Sequence, residues 1–136
     1  MNTKPAFSAY RVLIVDDDED MLMLLGRMLR RIGFSEINTA GSAREAEDLM
    51  RVKNYHLLLT DHLMTGPSGM ELLKRLRSGG LPLATDPDVP VIMITGRGER
   101  DIVLEARGAG VSAFLVKPVE SRQLEAKVSS VLFSPR

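Results

Sequence analysis

Short apolar runs alternate along the chain with segments in which apolar residues recur every three or four positions. The runs are continuous rather than interrupted by polar residues, which is typical of strands that are covered on both faces of a parallel sheet. Four of them occupy residues 12–15, 57–59, 91–94 and 114–116, and a weaker fifth run occupies residues 37–40. We therefore predict five strands.

A helical pattern follows each predicted strand, because the apolar residues of these segments fall on one face of a helix. Gly33 is placed to end the first helix, and Ser42 followed by Glu45 is a capping-box pattern that opens the second. Strand and helix alternate five times, which predicts an α/β fold with a doubly wound parallel sheet and right-handed crossovers. The apolar helix positions are Met21, Leu25, Met28, Leu29 and Ile32; Ala43, Ala46, Leu49 and Met50; Met70, Leu73 and Leu76; Ile102, Val103, Ala106 and Ala109; and Leu124, Val128, Val131 and Leu132.

Composition narrows the class of protein. A chain of 136 residues is long enough for one domain of ordinary size. It has no cysteine, which excludes disulfides, thiolate metal sites and cysteine nucleophiles. Basic and acidic residues both number 18, so the basic footprint that nucleic-acid binding requires is missing. No apolar run is long enough to cross a bilayer. We expect a cytoplasmic domain that contacts neither nucleic acid nor membrane directly.

Polar and charged residues follow the predicted strands. In an open α/β sheet, ligands bind outside the carboxyl ends of the strands, where Asp16, Asp17, Asp61, Thr95 and Lys117 would converge. Clustered carboxylates repel one another unless a cation lies among them, and all-oxygen ligands favour Mg²⁺. A carboxylate can also act as a nucleophile and form an acyl phosphate. The pattern indicates phosphoryl chemistry assisted by Mg²⁺.

Four motifs in this order resemble the receiver domain of two-component response regulators from about Arg11 to Phe133. The resemblance implies a flavodoxin-like sheet with strand order 2-1-3-4-5. It also implies a receiver domain over residues 11–133, between an N-terminal extension (residues 1–10) and a C-terminal tail (residues 134–136), and a free-standing, single-domain regulator. The motifs are Val12-Leu-Ile-Val-Asp16-Asp17, Asp61 followed by Met64 and Gly69, Val91-Ile-Met-Ile-Thr95-Gly96, and Phe114-Leu-Val-Lys117-Pro118.

The same resemblance implies a role for each site residue. Asp61 would accept the phosphoryl group, Asp17 would bind Mg²⁺ directly, and Asp16 would lie near the ion and act through water. The remaining positions are Leu63, whose backbone carbonyl would be a further metal ligand; Thr95 and Lys117, which would contact the phosphoryl group; Gly96, which would leave room for access; Phe114, the aromatic switch residue; and Pro118, preceded by a cis peptide bond.

The implied partners are a sensor histidine kinase or a histidine phosphotransfer protein, and a downstream effector protein. The domain would be a monomer or weak dimer that signals rather than acts as an enzyme, apart from transferring its own phosphoryl group and slowly removing it.

Two departures from the family pattern stand out. Thr65 occupies a position where the family usually has proline, which here comes later as Pro67, and the variable positions that influence phosphate lifetime hold Leu63 and Arg97.

Two other functions remain open at this point. A phosphatase of the haloacid dehalogenase type would use Asp16 and Asp18, with Thr95 and Lys117, but it would need a further acidic pair and would leave Asp61 unexplained. A receiver-like module that binds partners without phosphorylation would be expected to lack part of the acid, threonine and lysine set.

The two histidines, His56 and His62, lack the third nitrogen ligand that a histidine metal site would need, so we interpret both as structural.

Overall fold

The structure, a computed structural model, describes residues 7–96 and 100–133. Residues 1–6, residues 97–99, which include Arg97, and residues 134–136 lie outside the described ranges. Five strands form one sheet in the order β2-β1-β3-β4-β5, and every neighbouring pair is parallel. The five predicted strands and their order are confirmed. The strands are β1 (Arg11–Val15), β2 (Glu36–Ala40), β3 (Leu57–Asp61), β4 (Val91–Thr95) and β5 (Ala113–Val116).

Five helices follow the strands, as predicted, and the first three begin at polar N-cap residues. Asp18 caps the first helix, and Gly33, with φ +130°, ends it. Ser42 accepts the Glu45 N–H at 3.1 Å, which is one of the two bonds of the predicted capping box. The helices are α1 (Glu19–Ile32), α2 (Ala43–Val52), α3 (Gly69–Arg77), α4 (Arg100–Gly108) and α5 (Ser121–Phe133). Within the described ranges, no helix is both long and apolar enough to cross a membrane.

The sheet separates two hydrophobic cores. Successive strand residues point to opposite faces, so Leu13 and Leu58 pack with α2 and α3, whereas Ile14 and Leu59 pack with α1 and α5. This two-sided burial explains why the strands are uniformly apolar. Helix α4 is held less deeply, since Ala106 is its one buried residue among those described. The predicted α4 stripe is therefore buried only in part.

Packing begins before β1. Residues 7–9 form a short 3-10 helix, and Phe7 is buried with its ring 4.8 Å from that of Phe34. Phe133 at the end of α5 lies 5.3 Å from Phe7 and 5.5 Å from Tyr10, between ring centroids. Part of the segment assigned to the N-terminal extension thus contributes to the core beneath α1 and α5. The domain boundary at residue 11 remains a prediction.

Candidate functional site

Three carboxylates meet at the carboxyl edge of the sheet. Asp16 directly follows β1 and Asp61 is the last residue of β3; these strands are neighbours, with Val15 paired to Thr60. Asp16 and Asp61 are 2% and 8% exposed, whereas Asp17 is exposed to solvent. An oxygen atom from each of the three lies within 4.8 Å of those of the other two. The sheet topology therefore brings together two buried acids and one exposed acid.

Lys117 forms ion pairs with two acids of this cluster. Its Nζ lies 3.2 Å from Oδ1 of Asp61 and 3.7 Å from Oδ2 of Asp16. The residue directly follows β5, and its backbone N–H donates to the carbonyl of Thr95 at 2.7 Å. The predicted cis peptide bond between Lys117 and Pro118 is confirmed. The ammonium group contacts Asp61 more closely than Asp16.

The electrostatics of the three acids differ. Burial raises the pKa of Asp16, and the nearby Asp61 carboxylate acts in the same direction, although the N–H of Asp18 opposes them. The pKa of Asp17 is lowered, chiefly because its carboxylate accepts the backbone N–H of Thr65. Three carboxylates face one ammonium group, and a cation would relieve the charge imbalance. This all-oxygen set fits Mg²⁺, which prefers a few carboxylates together with water and phosphate oxygens.

Thr65 holds the exposed acid of the cluster. Its backbone N–H and its hydroxyl both donate to Oδ2 of Asp17, at 2.8 Å and 3.1 Å. The sequence marked Thr65 as a departure from the family pattern but gave no sign of this contact, which joins residues 48 positions apart. Proline at position 65 would supply neither donor.

Helix α3 begins directly against the backbone of Asp61. The N–H of Gly69 donates to the carbonyl of His62 at 2.7 Å. A Cβ atom at Gly69 would overlap the carbonyl oxygen of Asp61, so glycine alone fits here without a shift of the backbone. Ser68 and Glu71 then form a complete capping box, which was not predicted although its Ser-x-x-Glu pattern is present in the sequence. These contacts fix the loop that follows Asp61.

The other predicted site residues lie around this edge. Thr95, the last residue of β4, is 4% exposed, and, beyond the chain neighbours of Gly96, no atom of the described residues lies within 4 Å of the position that a Cβ at Gly96 would take. Phe114 is partly buried in β5 and pairs with Met93, which places it on the same face of the sheet as Thr95. Leu63 is 74% exposed.

Asp18 and the two histidines lie in other environments. Asp18 accepts the N–H of Asp20 at 2.9 Å as the cap of α1. His56 directly precedes β3, at the end of the strand away from Asp61. Its Nδ1 accepts the N–H of Arg11 at 2.9 Å, and its pKa is lowered mainly by burial. His62 follows Asp61, and its buried Nδ1 has no hydrogen-bond partner among the described residues. Asp18 is therefore a helix cap, and His56 makes a structural contact with the start of β1.

Comparison with known proteins identifies the family. The family model described as "Response regulator receiver domain" matches residues 12–129. The chain is 31% identical to the chemotaxis protein CheY of Pseudomonas aeruginosa over 121 residues, which cover 89% of this chain and 94% of that protein.

Solved structures agree with this match. The structure of Vibrio cholerae chemotaxis protein CheY4 has a TM-score of 0.81 and 25% identity, covering 90% of this chain and 98% of that one. A putative response regulator from Chloroflexus aurantiacus also has a TM-score of 0.81, with 31% identity over 90% of this chain and 97% of that one. With the fold, the motifs and a family match over most of its length, this chain belongs to the response regulator receiver domain family.

Proposed function

We propose that this domain accepts a phosphoryl group on Asp61 from a phosphohistidine of a sensor histidine kinase or a histidine phosphotransfer protein. The observation that carries the proposal is the position of the Asp61 carboxylate, held between two further acids and the ammonium group of Lys117 at 3.2 Å. Asp16, Asp17, Asp61 and the backbone carbonyl of Leu63 would hold Mg²⁺. The phosphorylated domain would then act on a downstream effector protein.

Each site residue has a separate role in phosphoryl transfer. A carboxylate oxygen of Asp61 attacks the phosphorus, the bond from phosphorus to the histidine nitrogen breaks, and an acyl phosphate forms on Asp61. Lys117 donates to the phosphoryl oxygens, while the hydroxyl of Thr95 gives a further hydrogen bond. Mg²⁺, when bound, offsets the negative charge of the transferring group. The space beside Gly96, which is open among the described residues, leaves a path for the donor.

The phosphatase alternative lacks support in the geometry. It needs Asp18 beside Asp16 as a catalytic acid, but Asp18 is exposed and its carboxylate caps α1. The module that binds without phosphorylation is disfavoured because the acids, Thr95 and Lys117 all lie at one edge of the sheet.

The test is incubation with a small phosphodonor, with and without Mg²⁺, followed by intact-mass and fragment-mass measurement. We expect the mass to rise by one phosphoryl group only when Mg²⁺ is present, with the group on the fragment that contains Asp61. Continuous release of phosphate through Asp16 would support the phosphatase instead. A chain that stays unmodified with both small donors and phosphorylated kinases would support the binding module.

Mg²⁺ affinity is expected to distinguish two adjacent acids. Asp17→Asn should weaken Mg²⁺ binding by about tenfold or more, because it removes one charge from the cluster of three carboxylates. Asp18→Asn should change it less than about twofold, since asparagine caps a helix nearly as well as aspartate. Isothermal titration of both variants makes the comparison. Equal losses would place the metal elsewhere.

Phosphorylation is expected to reach the surface of α4, β5 and α5 through Thr95 and Phe114. The phosphoryl group adds about −1.5 to −2 charges and new acceptor oxygens that can draw the Thr95 hydroxyl inward. Phe114, on the same face of the sheet, could fill the vacated space, and Leu104 and Val116 on this surface are already exposed.

Thr95→Ala should therefore still be phosphorylated, yet lose the amide chemical-shift changes that phosphorylation causes in α4, β5 and α5. Amide spectra of both proteins, with and without phosphorylation, test this expectation. Undiminished changes in the variant would mean that the coupling bypasses Thr95.

The lifetime of the phosphorylated form is expected to depend on Leu63. Hydrolysis needs a water in line with the bond from Asp61 to phosphorus, and positioning governs this step. Leu63 cannot hold such a water by a hydrogen bond, and its exposed side chain is placed two residues after the acceptor. Leu63→Asn should therefore lose its phosphate several times faster. The rate of phosphate loss is measured by intact mass for both proteins. Equal or slower loss in the variant would contradict the prediction.

A further inference from the structure

We propose that Thr65 is a positioning residue for Mg²⁺, which holds the carboxylate of Asp17 in the arrangement that binds the metal. The inference rests on the proposed magnesium site and adds a residue to it. Thr65 lies in the loop between β3 and α3 and would not contact the ion. It would act through Asp17, whose Oδ2 accepts both the backbone N–H and the hydroxyl of Thr65.

The three acids differ in how they are fixed. Asp16 and Asp61 are buried, Asp16 accepts the N–H of Asp18 at 2.9 Å, and Lys117 contacts Asp61. Asp17 is exposed, and an exposed side chain without a partner samples several rotamers. The two hydrogen bonds from Thr65 select one of them, in which the carboxylates of all three acids lie within 4.8 Å of one another.

The loop that carries Thr65 is itself anchored at both ends. At its start, the N–H of His62 donates to the carbonyl of Ile94 at 3.0 Å. At its end, Ser68 and Glu71 close the capping box of α3, and Gly69 bonds back to His62. Gly66, with φ +82°, turns the chain directly after Thr65. Thr65 is therefore presented to Asp17 by a defined backbone rather than by a free segment.

The fixed hydrogen bonds lower the cost of forming the metal site, because Asp17 does not have to be ordered when the ion binds. Partners of metal ligands act in this way, and their removal typically costs about 10-fold to 100-fold in affinity. The backbone N–H contributes only because residue 65 is not proline. In this chain, the departure from the family pattern supplies two donors where proline would supply none.

The test is Mg²⁺ titration of the metal-free full chain, in which binding is monitored through amide chemical shifts. Thr65→Ser keeps both donors, Thr65→Val keeps the N–H, and Thr65→Pro keeps neither. We expect the serine variant to bind like wild type, the valine variant about threefold more weakly and the proline variant on the order of tenfold more weakly. Equal or tighter binding by the proline variant would overturn the inference, since the hydrogen bonds would then be irrelevant or would compete with the metal.

A second pair of measurements separates positioning from a general effect of proline on the loop. In an Asp17→Ala background, Thr65→Pro should cause no further loss of Mg²⁺ affinity; a further tenfold loss would show that residue 65 does not act through Asp17. Without metal, hydrogen exchange of the Thr65 amide should be slow in wild type and fast in Asp17→Ala. Unchanged exchange would also contradict the inference.

The titration distinguishes this inference from the proposed function. Wild-type protein that shows no saturable response to Mg²⁺ would refute the magnesium site and Thr65's role together. Saturable binding that is the same in wild type and Thr65→Pro would refute the role of Thr65 and leave the magnesium site intact.

Discussion

Asp61→Asn is expected to abolish phosphorylation, with no adduct detected under conditions that label the wild-type protein completely. The amide keeps the size of the side chain but removes the charged nucleophilic oxygen that attacks phosphorus. No other acid should substitute, because Asp16 is less exposed than Asp61 (2% against 8%) and accepts the N–H of Asp18, and Asp17 is held by Thr65. The loss should therefore exceed a factor of about 10³, as expected when the nucleophile itself is removed. Intact mass after treatment with a small phosphodonor and Mg²⁺ measures it.

The same variant is expected to fold normally. It loses an ion pair with Lys117 but also relieves repulsion among three carboxylates, so the two electrostatic effects oppose each other. We expect the free energy of unfolding to change by less than about 1 kcal/mol. Asp48→Asn, at an exposed ion pair on α2, is a matched control that should be labelled like wild type. Labelling of Asp61→Asn at the wild-type rate would refute the assignment of the acceptor.

The fold was predictable from the sequence because both faces of the sheet are covered. Residues such as Leu58 and Leu59 point to opposite cores, and both are fully buried, so the hydrophobic signal is continuous along the strand. The helix ends were predictable where a single residue type dominates, as at Gly33. Helix α4 was predicted less well, because the spacing of its apolar residues does not reveal how deeply a helix is packed.

The chemical groups of the site were predictable for a different reason. Asp16 directly follows β1, and Asp61 is the last residue of the neighbouring strand β3. Because parallel strands end at the same edge of a sheet, the two acids must lie close together. The contacts that orient those groups were not predictable. Thr65 reaches Asp17 through a loop whose path depends on Gly66 and on the start of α3, and periodicity does not encode such a path. Sequence patterns therefore predicted which acids form the site, whereas the hydrogen bonds that orient those acids are seen only in the structure.

Gly69 shows how a backbone contact can control the acceptor. It is the first residue of α3, and a Cβ atom there would lie 3.1 Å from Oγ1 of Thr60 as well as overlapping the carbonyl oxygen of Asp61. Neither the strand end nor the helix start is free to move, because the Gly69 N–H is bonded to His62 and the Ser68 cap is closed. Any side chain at position 69 must therefore push α3 and β3 apart.

Gly69→Ala is expected to lower the free energy of unfolding by about 2–3 kcal/mol, within the range for overpacked sites, and Tm by roughly 10 °C. Phosphorylation of Asp61 should also slow by about tenfold to a hundredfold, because small displacements of a reacting group have effects of this size. Gly108→Ala is the matched control, since the space beside exposed Gly108 is open and it lies at the end of α4. Thermal unfolding and labelling rates of both variants give the comparison. If Gly69→Ala were as stable and as reactive as Gly108→Ala, the packing of α3 against Asp61 would not set the geometry of the acceptor.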